Sequence, residues 1–291
     1  MPIAARLSAI ALAALLSACG GGESSVTAVK VAGDSLADGG TFGFKFTVQG
    51  SSLNATRIWV DYVADAVGVG SLCPRNRATS PDGSTVALNP NATSCTNHAV
   101  GGARINVRGT AGDATPFSVQ QQLRNLGQQS YTATDVLLVD GGGNDAADLL
   151  TAFLAARTDG GASYVALLQE LLPAADVQAA AAAGSTGLAQ AGGQYMMALA
   201  DALVNTLTTE ALNKGARRVV VLTVPEITRT PRFQVLLAAI RQSQGEEAAT
   251  QVATVANAWV QAFNLRLSQR LAGDARVALV DFYAALNAWL A

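Results

Sequence analysis

The apolar positions of this chain fall into short runs and long helical stripes that alternate along its length. Residues 26–31 form a β-branched run that stops at Ala32-Gly33-Asp34-Ser35. Over 56–67, Trp59, Val63 and Ala66 recur at helical spacing with Ile58 and Tyr62 beside them, which predicts a helix. Residues 95–100 read as a second core strand ending at Gly101-Gly102. The continuously apolar stretch 135–139 has the pattern of a strand buried on both faces, and it ends at Asp140-Gly141-Gly142-Gly143-Asn144-Asp145. Met196, Leu199, Leu203 and Leu207 mark a long helix leading to a strand over 218–223. Val252, Val255, Trp259, Phe263, Leu267 and Leu271 mark another, ending near Gly273 before a strand over 276–280. Strand–helix alternation of this kind predicts an α/β fold, a parallel sheet covered on both faces with right-handed crossovers. Functional groups are then expected at the carboxyl ends of the strands.

Composition agrees with one sizeable domain. Of 291 residues, 50% are hydrophobic and 14% charged, so the chain can bury a substantial core. The formal net charge is -2 and no Lys/Arg cluster is evident, which argues against nucleic acid as a partner. A monomer is expected. The Ala-rich stretch 155–193, broken by Gly, reads either as a cap over a cleft or as ordinary surface helix.

The N-terminus reads as an export signal over residues 1–18. Arg6 supplies a positive start, and the apolar stretch 7–16 is too short to span a bilayer. Leu16-Ser17-Ala18-Cys19 resembles the lipobox of bacterial lipoproteins, which implies lipidation at Cys19. An ordinary secretory signal with an incidental Cys19 is the alternative. Residues 19–26 then form a Gly/Ser-rich tether, and 27–291 the folded domain. Gly20 is not the Asp that the lipoprotein resemblance associates with inner-membrane retention, so an outer-membrane address is expected. Export also bears on the remaining thiols, Cys73 and Cys95, which flank a polar loop and are expected to pair. Metal binding is the rival reading, but two cysteines without a CxxC spacing or a nearby His make a poor site.

Three loops at strand ends carry candidate chemistry. Gly33-Asp34-Ser35-Leu36 follows the first strand, and its Ser would gain from backbone N–H groups and the dipole of a following helix. Taken alone, Ser35 is better explained as a helix cap. Asn97-His98-Ala99-Val100-Gly101-Gly102-Ala103 ends in glycines whose backbone N–H groups can approach a ligand, though a plain turn accounts for them equally. Gly142-Gly143-Asn144-Asp145 presents a carboxamide that can donate to an oxyanion, or forms an Asn-containing turn. Asp145 and Asp148 are better explained by a helix dipole than by a metal, and no Gly-rich run continues into Lys-Ser/Thr. No metal and no cofactor are expected.

Taken together, the three loops resemble the nucleophile, second and third blocks of the GDSL branch of the SGNH hydrolase family. The resemblance extends to Arg57-Ile58-Trp59, the Cys73 loop, Gly215-Ala216-Arg217, Thr230-Pro231 and Val280-Asp281-Phe282-Tyr283. It implies a flavodoxin-like three-layer α/β/α sandwich with a five-stranded parallel sheet. It also implies ester hydrolysis (esterase or lipase) through an acyl-enzyme, with a small-molecule or lipid ester as substrate. Ser35 would be the nucleophile. Its N–H, the Gly102 N–H and the Asn144 side chain would hold the oxyanion. The resemblance places the base in a DxxH block after the fifth strand, and no such Asp/His pair occurs up to Ala291. The single histidine, His98, sits in the second block and reads as a packing residue. The sequence thus reads as incomplete at the C-terminal end of the domain, and full activity is not expected of these residues alone. A non-catalytic outer-membrane lipoprotein that binds an acylated lipid or glycan is the competing reading.

Overall fold

A computed structural model describes residues 25–108 and 112–291. The expected signal peptide, Cys19 and most of the tether lie outside the described residues. In chain order the elements are β1 (Ala28–Ala32), α1 (Trp59–Ala66), β2 (Asn76–Ala78), β3 (Val86–Leu88), α2 (Val119–Leu126), β4 (Asp135–Val139), α3 (Gly143–Asp159) and α4 (Ala162–Gln169). There follow α5 (Ala174–Ala182), α6 (Gly184–Glu210), β5 (Val219–Leu222), α7 (Pro231–Gln244), α8 (Glu246–Leu271), β6 (Val277–Val280) and α9 (Phe282–Trp289). No described helix is long and apolar enough to cross a membrane.

Four strands form a parallel sheet in the order β1-β4-β5-β6. In β4 all five residues are buried, as its unbroken apolarity requires. The expected second strand is not a ladder strand. Residues 96–100 do run parallel to β1, with Val31 N–H donating to Thr96 O (3.0 Å), His98 N–H to Val31 O (2.8 Å) and Val100 N–H to Gly33 O (3.1 Å). Two side-chain interactions divert the segment from regular pairing. The Asn97 carboxamide accepts from Ala99 N–H (3.0 Å) and donates to Ala37 O (2.8 Å). The four strands and this segment together reproduce the 2-1-3-4-5 order of a flavodoxin-like sheet.

Side-chain alternation divides the sheet between two cores. Leu137, Val139, Val219 and Val221 face the larger one, against α2, α3, α6 and α8. There Trp259 stacks on Tyr164 with ring centroids 6.1 Å apart, and its Nε1 donates to Ala189 O (2.7 Å). Val29, Val31, Val136, Leu138 and Val220 face a smaller core closed by Ile58, Val60 and Ala64 of α1 and its approach. The stretch 155–193 resolves into helical segments whose Tyr164, Leu167, Leu168 and Val177 are buried in the larger core. It is a structural layer.

Cys73 and Cys95 form the expected disulfide, with Cα atoms 5.2 Å apart and a sequence separation of 22. The loop they close contains the antiparallel β2–β3 hairpin, which the polar pattern did not announce. Chain entropy predicts that replacing both cysteines by serine lowers unfolding free energy by about 3 kcal/mol under oxidising conditions. Urea denaturation with and without reductant measures this; the reductant is expected to shift the parent protein and leave the double variant in place.

Candidate active site

The site is assembled where β1 and β4 end side by side. After Ala32 the chain turns sharply over 35–37, and Ala37 N–H donates to Asp34 O (3.2 Å). The expected helix behind Ser35 is absent: the next helix is α1, so the serine does not sit at a helix N-terminus. Each neighbouring peptide in this turn has a fixed partner. Gly33 N–H donates to Gln122 Oε1 of α2 (2.7 Å), Asp34 N–H to Asp140 Oδ1 (2.8 Å), and Leu36 N–H to Asp34 Oδ1 (3.0 Å). Gly33 is required by close approach, because a Cβ there would lie 2.1 Å from Asp140 Oδ1.

The second block is held as firmly. Gly101 N–H donates to the buried Asp38 carboxylate (2.7 Å), which also accepts from Gly40 and Thr41 N–H. Gly102 has φ +81°, a conformation that favours glycine, and the space beyond its Cα is open. Its carbonyl accepts from Arg104, whose guanidinium is in turn paired with Asp148. Asn144 lies in the first turn of α3 and donates one amide hydrogen to Ala103 O (3.0 Å). This bond joins the second and third blocks, as Val100 N–H to Gly33 O joins the first and second.

Ser35, Leu36, Gly143 and Asn144 line a cleft of about 210 Å³, closed on its other side by Val224, Pro225, Ile227 and Phe233. Among the described residues the backbone N–H groups of Ser35 and Gly102 donate to no protein acceptor. Asn144 retains a second amide hydrogen beyond the one given to Ala103. The chain thus leaves donors free in its second and third blocks and at Ser35, in a region where neighbouring N–H groups are satisfied. His98 does not line the cleft. Its ring is buried, its Nδ1 lacks a partner among the described residues, and burial aided by Arg75 pushes its pKa down to about 4. It therefore stays neutral and packs, as expected from sequence.

Asp145 and Asp148 serve structure by specific bonds rather than by a dipole alone. Asp145 accepts from Ile105 N–H (3.0 Å) and Asn106 N–H (2.9 Å), and burial pushes its pKa up to about 7. No group of three His, Cys, Asp or Glu side chains suited to a metal occurs among the described residues.

Sequence reasoning missed Asp140 and its companions Gln122 and Trp59. The available signal was a carboxylate closing a fully apolar strand. Asp140 is buried, accepts from Asp34 N–H, and accepts at its other oxygen from Trp59 Nε1 (3.3 Å). Burial, then the nearby Asp34 charge, raises its pKa well above the ordinary carboxylate range; burial likewise pushes Asp34 up to about 6.

The family model described as GDSL-like Lipase/Acylhydrolase matches residues 29–289. No curated protein matched the chain.

The raised carboxyl pKa values have a stability consequence with a definite sign. A carboxyl that holds its proton more tightly folded than unfolded makes stability fall as pH rises, here from near 4 through the folded value. Asp140→Asn keeps an acceptor for Asp34 N–H but removes one of the two buried charges. Its stability relative to the parent is therefore expected to rise between pH 4 and 7, against any constant offset from facing an amide toward Trp59. Urea midpoints of both proteins across that range test this, and parallel profiles would refute the electrostatic coupling.

Proposed function

Because the chain belongs to the GDSL-like lipase/acylhydrolase family, we propose that it is a serine ester hydrolase with Ser35 as nucleophile. Family membership makes it a hydrolase of that family; the ester bond and the residue roles are the proposal. Ser35 Oγ attacks the ester carbonyl, the C–O bond to the alcohol breaks with the Ser35 proton ending on the departing alcohol, and water then releases the acyl group as the acid while returning a proton to Ser35 Oγ. Charge developing on the carbonyl oxygen is taken up by Ser35 N–H, Gly102 N–H and the second Asn144 amide hydrogen. The observation that carries this reading is the free N–H of half-buried Ser35 and the second Asn144 amide hydrogen at one cleft, with the free Gly102 N–H on the loop bonded to both blocks, although Gly102 does not itself line the cleft. Fixed donors are effective because they need no reorganisation when charge appears. The Ser35 proton needs an acceptor, and His98 is a poor one, being buried outside the cleft lining.

That last observation favours a second reading, in which the cleft binds an acylated lipid or glycan without cleaving it. In either case we propose an exported protein, lipid-anchored through Cys19 at the outer membrane and acting as a monomer. Support for the anchor is the Leu16-Ser17-Ala18-Cys19 pattern.

A p-nitrophenyl acetate assay separates the readings. Ser35→Ala is expected to reduce turnover to the buffer rate, and Asn144→Ala to lower kcat by roughly 100- to 1,000-fold, as loss of one oxyanion donor does elsewhere. Equal rates for the parent and Ser35→Ala would leave only the binding reading. His98→Gln is expected to retain activity; a fall of the 10²–10⁴-fold order typical of a lost general base would place His98 in the mechanism instead.

A further inference from the structure

The loop after the nucleophile turn carries Phe42, Phe44 and Phe46 at alternate positions, and their rings form one cluster. Centroids are 5.0 Å apart for Phe44–Phe46, 6.0 Å for Phe42–Phe46 and 6.3 Å for Phe42–Phe44. Two of these rings are nevertheless open to solvent, Phe44 at 44% and Phe46 at 43% exposure. Aromatic side chains that could be buried here pack edge-on against one another and face outward. The intervening residue explains how the arrangement is held. Lys45 points the other way and is buried in an ion pair with Asp61 of α1 (2.7 Å), whose carboxylate also caps Ile58 N–H (2.9 Å). A buried ion pair contributes little net stability compared with apolar packing, so its use at this point is better understood as fixing the loop's orientation.

The cluster is continuous with the proposed oxyanion site. The Phe46 ring lies directly over Gly101, where an added Cβ would sit 2.2 Å from it, and Phe42 packs against the same glycine. One residue further, Gly102 faces open space. Leu36, next to Ser35, is also exposed at 37%. An apolar shelf therefore begins one residue from a free N–H donor of the site and lies outside the residues that line the cleft.

We propose that Phe42, Phe44 and Phe46 form an apolar subsite for the hydrocarbon chain of the ester, making this a hydrolase of esters with chains of several carbons. The proposal rests on the reading of Ser35 as nucleophile. A carbonyl held between Ser35 and Gly102 has two substituents to place. The cleft takes one, and the shelf takes an aliphatic chain leaving on the Gly102 side. Removing rings costs binding in proportion to the chain length they cover.

The test compares p-nitrophenyl decanoate with p-nitrophenyl acetate for the full chain, Phe44→Ala, and Phe44→Ala with Phe46→Ala, after thermal melts establish folding. The decanoate-to-acetate ratio of kcat/KM is expected to fall about tenfold or more in the double variant, and partly in Phe44→Ala, which spares the Gly101 contact. Phe44→Leu with Phe46→Leu is expected to restore most of the ratio. A second arm titrates decanoate into Ser35→Ala proteins with and without the ring substitutions, by calorimetry. An unchanged ratio, or unchanged decanoate binding, overturns the subsite. If the parent hydrolyses neither ester, the nucleophile reading fails and the titration alone decides whether the shelf binds chains. Loss of sedimentation with phosphatidylcholine vesicles, with ratio and titration intact, assigns the rings to a lipid surface and overturns the proposal.

Discussion

The hydrogen bond from Asp34 N–H to the Asp140 carboxylate ties the turn that follows one parallel strand to the first residue beyond its neighbour. Parallel pairing of β1 with β4 brings both strands to an end at the same level, since Ala32 is in register with Val139. The next residues, Gly33 and Asp140, must then share a small volume, and they do so because one lacks a side chain and the other fills the gap. From this contact the rest of the site follows. Asp34 is held so that its own carboxylate receives Leu36 N–H, the turn closes around Ser35, and the Gly33 carbonyl is left to receive Val100 of the second block. A single misplacement here would move the serine and both glycine-bearing loops together.

The neighbourhood shows a division between satisfied and unsatisfied groups. Gly33, Asp34, Leu36 and Gly101 all donate to side-chain oxygens, and three of these four acceptors (Gln122, Asp140 and Asp38) come from outside the donor's own turn. Ser35 and Gly102 N–H, by contrast, find none among the described residues. Unpaired donors cost free energy when buried, so they persist where solvent or a ligand reaches them. Both residues are half-buried, Ser35 lining the cleft and Gly102 facing open space, which fits that requirement.

Much of this was legible in the sequence, for identifiable reasons. The 135–139 strand could be read from continuous apolarity, and the α8 stripe from Val252 to Leu271 by its period, because burial forces both patterns. The three loops were readable because glycines and a polar side chain interrupt those patterns where strands end. The second strand was less so. Its apolar residues promised a ladder, but Asn97 bonds within its own segment and to Ala37, an interaction that periodicity does not encode. The helix expected after Ser35 failed similarly, since a short turn secured by Asp34 and Asp140 replaces it. The role of Asp140 depends on a partner 106 residues away, and long-range pairing of this kind leaves no local signal.

The Asp34–Asp140 pair also sets a condition on the chemistry. An oxyanion forming near Ser35 would be opposed by two ionised carboxylates in a low-dielectric setting, where repulsion is only weakly screened. Burial of both groups, with the Asp34 charge acting on Asp140, makes the pair shed its protons late, so the turn carries less negative charge in weakly acidic solution than two free carboxylates would. The same burial that destabilises the folded chain as pH rises would therefore lower the field opposing the proposed transition state at the acidic end of the range. The arrangement trades stability for a sparsely charged turn at Ser35, the proposed nucleophile. Trp59, whose indole donates to the second Asp140 oxygen, carries that constraint outward to α1, the helix whose Asp61 also holds Lys45 and the aromatic shelf. One short helix thus fixes both the floor of the turn and the orientation of the aromatic rings beside it.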